Sequence, residues 1–178
     1  MTGEKGLKAL KHMKKNYTTK NWVKSLGISE PKYIVIHSTG NTASAKNENA
    51  NTVNNQHDGV GAHYSVDEKD IYQTLQDNRK IYHCGTGHVY EQKHRECRNA
   101  NSIGIEMCQK DEAGNVEEMT IENTAALVQY LMKKHNIDEK HVLRHYDVVS
   151  KMCPIAYAGT EEKNKKWRTL KKRLLGKA

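Results

Sequence analysis

Two histidines in this chain each close an apolar run. YIVIHST (residues 33–39) carries Ile34, Val35 and Ile36 into His37, and HVLRH (141–145) ends on His145. Eight residues further on, in SKMCPIA (150–156), stands Cys153, stiffened by Pro154. Two imidazoles and a thiolate suit Zn2+, and three protein ligands instead of four leave a coordination position for water or substrate. NSIGIEMC (101–108) adds a carboxylate. With a period of two, Ile103, Ile105 and Met107 share one strand face and Ser102, Gly104 and Glu106 the other. Glu106 is thus a charge in mid-strand among small residues. Taken singly, these residues have ordinary readings as a satisfied core histidine or a solvated carboxylate. Their combination points to chemistry.

Strands must carry these residues, and helices must cover the strands. In 33–37, alternation puts Tyr33, Val35 and His37 on one face, so His37 is the last side chain of that face at the strand's mouth. AHYSV (62–66) and IYQTL (71–75) read as a hairpin joined by the charged turn DEKD. The stretch 79–100, rich in Gly, His and Cys, reads as an irregular loop. TIENTAALVQYLMKKHN (120–136) is the strongest helical pattern, with Thr120 as N-cap and Lys133, Lys134 and His135 suited to its C-terminal dipole. GLKALKHMKK (6–15) spaces Leu7, Leu10 and Met13 as a short basic amphipathic helix, and 46–61 reads as a polar surface helix closed by glycines. SLGISEP (25–31) reads as a linker.

The chain has 178 residues, a length suited to one domain with a sizeable core. Its net charge of +8 is uneven: residues 1–24 and 161–178 together carry +12, and the residues between them −4. No run approaches the ~18 apolar residues of a membrane span. The first 24 residues lack the apolar core and cleavage site of a secretory signal, so synthesis in the cytoplasm is expected, with another route to any external target. For the four cysteines that setting favours thiol or metal-ligand roles over disulfides. Cys84, His88, His94 and Cys97 have a spacing that could bind a second, structural zinc, while Cys108 reads as a buried thiol.

IVIHSTGN, GAHYSVD, NSIGIEMC and LRHYDVVSKMCP together resemble blocks of the type-2 N-acetylmuramoyl-L-alanine amidases. That family includes phage endolysins, bacterial autolysins and animal peptidoglycan recognition proteins. The blocks span Tyr33 to Pro154, and NYTTKN (16–21) is similar to leaders of clostridial-type lysins. The resemblance implies an α/β fold, a mixed central sheet flanked by helices with zinc at the strand ends. It implies His37, His145 and Cys153 as zinc ligands, Glu106 as general acid–base and Lys151 as the stabiliser of the oxyanion. The bond cut would join N-acetylmuramic acid to L-alanine in peptidoglycan. One departure stands out: where some members carry a catalytic Tyr, this chain has Ala62, and Tyr64 lies two residues on. His83, Tyr64 and Thr39 are expected along the substrate groove, and His63 as a support of the fold. The organisation expected is a basic helix and linker at 1–30, the amidase domain at 31–160, and a basic helix at 161–178 packed on it or extending it.

Peptidoglycan is the expected partner, with anionic wall polymers held by the basic termini. Three other functions stand beside this one. A non-catalytic peptidoglycan-binding module would be expected to lose the cysteine ligand, which is present here. A cytosolic amidase recycling wall fragments fits the missing signal but not the lysin-like blocks. A zinc-containing nucleic-acid-binding protein fits the basic charge but not the acidic middle of the chain, and no nucleic acid is expected.

Overall fold

The structure is a computed structural model and describes residues 4–20, 26–27, 29–54 and 59–177. Its elements, in chain order, are α1 (Glu4–Lys11), β1 (Lys14–Lys15), β2 (Tyr33–Ser38), α2 (Ala45–Asn54), β3 (Tyr64–Val66) and β4 (Ile71–Gln73), then β5 (Ser102–Met107), α3 (Glu118–His135), β6 (Val142–Arg144), α4 (His145–Val148) and α5 (Glu161–Leu174). The strands form one six-stranded sheet in the order β1-β4-β3-β5-β2-β6. Among the described residues only the β3–β4 hairpin is antiparallel; the other four strand pairings are parallel. The hairpin and the irregular loop at 79–100 are as the pattern of the sequence predicts, and the mixed α/β sheet is the one that the resemblance implies.

The two sheet faces are buried by different means. Ile34, Ile36, Ile103, Ile105, Met107 and Val142 join Ile121, Val128 and Leu131 of α3 and Trp167, Leu170 and Leu174 of α5 in one core. Burying side chains of this size stabilises by roughly 1.5–3 kcal/mol each. On the other face Tyr33, Val35, Cys84, Cys97, Leu143, Val148 and Val149 form a second cluster, covered by the 79–100 loop. That loop is pinned at several points; Asn99 Oδ1, for example, accepts from the backbone N–H of His83 at 2.9 Å and of Cys84 at 2.8 Å.

Three boundaries differ from the sequence pattern. The first helix stops at Lys11, because Lys14 and Lys15 pair with Tyr72 and Gln73 at the sheet edge. The long helix starts at Glu118, two residues before the expected cap. Thr120 lies buried inside it, its carbonyl accepting from Thr124 Oγ1 at 2.6 Å. The helix expected over 46–61 is described as Ala45–Asn54, and residues 55–58 of it lie outside the described residues, as do Asn21, Ser25 and Ile28 of the leader and linker segments. At the C-terminus Thr160 caps α5 through its side chain, and the apolar stripe of α5 packs on α3. Among the described residues no helix is long and apolar enough to cross a membrane.

Candidate active site

Parallel pairing brings the chemistry to one edge. β2 and β5 run in register with His37 opposite Glu106, and β6 pairs Arg144 with Ile36, so the next residue, His145, lies beside His37. Asp147 accepts from Arg144 N at 3.1 Å and Nε at 2.9 Å, fixing the first turn of α4 and the direction of His145. Tyr146 N donates to Cys153 O at 2.8 Å, folding the following loop back so that Cys153 faces the two imidazoles. The ligand atoms of His37, His145 and Cys153 all lie within 4.8 Å of one another, and His37 Nδ1 is 3.8 Å from Cys153 Sγ.

The donor set fits zinc. Both ring nitrogens of His145 are buried without a hydrogen-bond partner, an arrangement that native interiors avoid unless something coordinates them. Burial lowers the pKa of both imidazoles, that of His145 to about 4 and that of His37 well below its ordinary value, so both are neutral ligands at pH 7. Burial pushes the Cys153 thiol up to about 12, and a coordinated cation would take it to the thiolate.

Glu106 completes the edge. Its Oε2 is buried with no partner, and burial, followed by the nearby charge of Glu48, raises its pKa to about 7. Lys151 is exposed, and its charge acts on His37, His145, Cys153 and Glu106 alike.

Residues 28–156 match the N-acetylmuramoyl-L-alanine amidase family model, Amidase_2. The chain belongs to this family. Similar relatives include the N-acetylmuramoyl-L-alanine amidase CwlL of Bacillus licheniformis, 32% identical over 171 residues that cover 92% of this chain and 46% of that protein. CwlH of Bacillus subtilis (strain 168) is 34% identical over 126 residues, 70% of this chain and 47% of that protein. The chain thus spans about half the length of these curated relatives. Among solved structures, PlyL superposes with a TM-score of 0.76 at 24% identity, covering 93% of this chain and 98% of that one. A mutant endolysin from Bacillus subtilis gives a TM-score of 0.69 at 28% identity over 91% of this chain and 97% of that one. This amidase family is zinc-dependent, and the His37–His145–Cys153 cluster is able to bind the ion.

Of the three residues expected along a groove, Tyr64 and His83 have their polar atoms engaged inside the protein. Tyr64 pairs in register with Ile105 and so points to the core face, away from Glu106. Its hydroxyl donates to Asp77, which Gln73, Lys134 and His135 also contact. Alternation alone could not say which face of this strand meets the core. His83 spends both ring nitrogens inside the protein, 3.1 Å from His37 Nε2 and 3.0 Å from Ser102 Oγ, leaving neither for substrate. Thr39 sits in the loop after β2, its hydroxyl donating to Asn41 O at 2.8 Å and receiving Gln109 N at 3.4 Å. His63 supports the fold, accepting from Gly104 N and donating to Arg79 O.

The second zinc set does not assemble. Among the described residues only His37, His145 and Cys153 converge as metal ligands. His94 Nδ1 instead accepts from Glu96 N and Cys97 N, His88 is exposed, and Cys84 and Cys97 are buried in the apolar cluster.

Two residues around the site carry no local sequence signal. Glu48, in the first turn of α2, accepts from Asn41 Nδ2 at 2.8 Å and lends its charge to the Glu106 environment. Tyr90 stands on a segment stitched to the loop before Lys151. Ser150 N donates to Glu91 O at 2.9 Å, Glu91 N to Ser150 Oγ at 2.8 Å, and Lys93 N to Val148 O at 2.9 Å. The Tyr90 ring lies 6.0 Å from Lys151 Nζ, and both Tyr90 and Met152 are exposed.

Proposed function

We propose that this chain hydrolyses the amide between N-acetylmuramic acid and L-alanine of peptidoglycan. The observation that carries this reading is the buried, unpartnered Oε2 of Glu106, a residue in register with His37 and on the same edge as a ligand cluster of three. When bound, zinc supplies Lewis-acid polarisation of the scissile carbonyl and acidifies water. Glu106 takes the proton of the attacking water as hydroxide adds to the carbonyl carbon, then passes it to the alanine nitrogen as the C–N bond breaks. A pKa of about 7 suits both roles near neutral pH. The Lys151 ammonium stabilises the oxyanion of the tetrahedral intermediate. The products are a lactyl carboxylate and a free alanine amine. Loss of the cysteine ligand would favour a binding-only module; Cys153 is present and buried in the cluster.

The target lies in the bacterial wall, and we infer that the basic termini hold the enzyme to anionic wall polymers. Lys8 and Lys11 of α1 and Lys165 and Lys172 of α5 are exposed. The test of the main proposal is to incubate the zinc-loaded protein with purified walls and assay new N-terminal alanine by mass spectrometry. Release that falls at least 100-fold in Glu106→Ala supports it. Walls solubilised with no new alanine amine would overturn it.

A further inference from the structure

His37 can serve as a zinc ligand through Nδ1 only if its proton sits on Nε2. Nδ1 is the nitrogen that faces Cys153 Sγ at 3.8 Å, while Nε2 lies 3.1 Å from His83 Nδ1. In isolation an imidazole carries its proton on either nitrogen, and which one is set by the hydrogen bond that the other makes.

The direction of the bonds behind His37 can be worked out from the far end. Ser102 Oγ donates to the carbonyl of Arg98 at 2.6 Å, and a carbonyl can only accept. The Ser102 proton is thereby used, so Ser102 Oγ receives from His83 Nε2, 3.0 Å away. As the neutral imidazole, His83 then has its proton on Nε2 and a lone pair on Nδ1. That lone pair accepts from His37 Nε2–H, leaving His37 Nδ1 bare toward Cys153. The geometry points to a relay, Arg98 carbonyl–Ser102–His83–His37, that fixes the tautomer and aim of the metal ligand His37, with His83 as a positioning residue.

Gly104 makes room for this relay. A Cβ built there would stand 2.8 Å from both Cγ and Nδ1 of His83, closer than real Cβ atoms come to a ring. The Gly104 N–H is in turn held by His63 Nδ1 at 3.0 Å, so His63 braces the strand at the point where the His83 ring crosses it. Asn99 fixes the backbone of His83 from the opposite side. The ring is therefore clamped on three sides.

This inference rests on His37 being a metal ligand, as in the proposed function, and its test separates the two. Long-range 1H–15N correlation spectra of the metal-free protein read the tautomers directly. Nε2–H on both His37 and His83 is expected; a proton on His37 Nδ1, or protons on both nitrogens of His83, overturns the relay without reference to zinc or activity. Zinc affinity, measured by competition with a chromophoric chelator, should weaken 10- to 100-fold in His83→Ala, the usual cost of losing a partner behind a ligand. His83→Asn keeps an acceptor near the Nδ1 position and should restore most of that loss, and Ser102→Thr, which keeps the hydroxyl, should bind more tightly than Ser102→Ala. Gly104→Ala should weaken zinc with His83 still in place. Wild-type affinity in a folded His83→Ala protein, judged by an unchanged metal-free melting curve, overturns the relay alone. A wild-type chain that binds no zinc overturns the metal reading with it.

Discussion

Glu106→Gln should make the metal-free protein more stable while removing its turnover. The carboxyl has a pKa of about 7 in the fold against an ordinary value of 4.5, chiefly because burial disfavours its charge. The folded state therefore holds the proton to higher pH than the unfolded state. Between about pH 4.5 and 7 the folded chain binds more protons, so stability falls as pH rises through that window and is flat above it. At 1.36 kcal/mol per pKa unit, the cost of keeping Glu106 in place is about 1 kcal/mol at pH 5 and about 3 kcal/mol at pH 8. Glutamine has nearly the same shape and no charge to bury. The variant should gain about 2–3 kcal/mol over wild type between these two pH values, a shift in urea midpoint of roughly 1 M at an ordinary dependence on denaturant. The assay is urea unfolding of both proteins in chelator at pH 5 and pH 8. Other titrating groups, among them His63 and His145, cancel in the comparison. Zinc, a dication on the same edge, favours the ionised carboxylate and should shrink the gap when loaded. A midpoint difference that is equal at the two pH values would refute the argument that Glu106 is held against its charge.

Three further outcomes follow from the site. Chelator should abolish wall hydrolysis and zinc restore it, and Cys153→Ser should lose bound zinc, read by elemental analysis after dialysis; full activity in a metal-free Cys153→Ser protein would remove the metal from the mechanism. Lys151→Ala should lower kcat by about 10²–10³-fold with KM changed little, since a charge that meets an oxyanion acts in the transition state; a loss confined to KM would make Lys151 a binding residue. Pelleting with intact walls should weaken steeply above ~0.15 M salt, where the Debye length drops below ~8 Å. Neutralising Lys8, Lys11, Lys165 and Lys172 should mimic that effect while a soluble muropeptide is cut at the wild-type rate. Wall binding indifferent to both would make the basic helices ordinary scaffold.

Much of the site was legible because two simple periodicities meet in it. Alternation within each strand put His37 and Glu106 at defined faces, and parallel pairing, which the separated apolar runs permit, brought those faces together. Spacing alone made Cys153 a plausible third ligand to His37 and His145. What was not legible depended on register between strands or on irregular backbone. Tyr64 shares a strand face with Ala62 in any register, but only its pairing with Ile105 turns that face to the core. Lys14 and Lys15 continue a helical pattern and are taken from it by sheet-edge pairing, a tertiary gain that local propensity does not contain. His83 lies in a loop without periodicity, and nothing in its neighbours says that its ring will cross β5.

That crossing explains the feature of β5 that first set Glu106 apart. Ser102, Gly104 and Glu106 alternate with Ile103, Ile105 and Met107, and a small polar face ordinarily means one turned to water. Here Ser102 and Gly104 are buried, and the face is filled by imidazoles. His63, His83, His37 and His145 follow one another edge to face, with ring centroids 5.7, 5.3 and 4.6 Å apart. The inner part of the row is satisfied: His63 and His83 have partners at both nitrogens. Partners run out only at the outer end, at His145 and at the Glu106 Oε2. Small residues on β5 are therefore the space in which a hydrogen-bonded interior is built behind the site, and within this imidazole row the unsatisfied groups fall at the carboxyl edge of the strands. Both nitrogens of His145 and the Glu106 Oε2, unsatisfied at that edge, form a place where a cation, a water and an amide can meet.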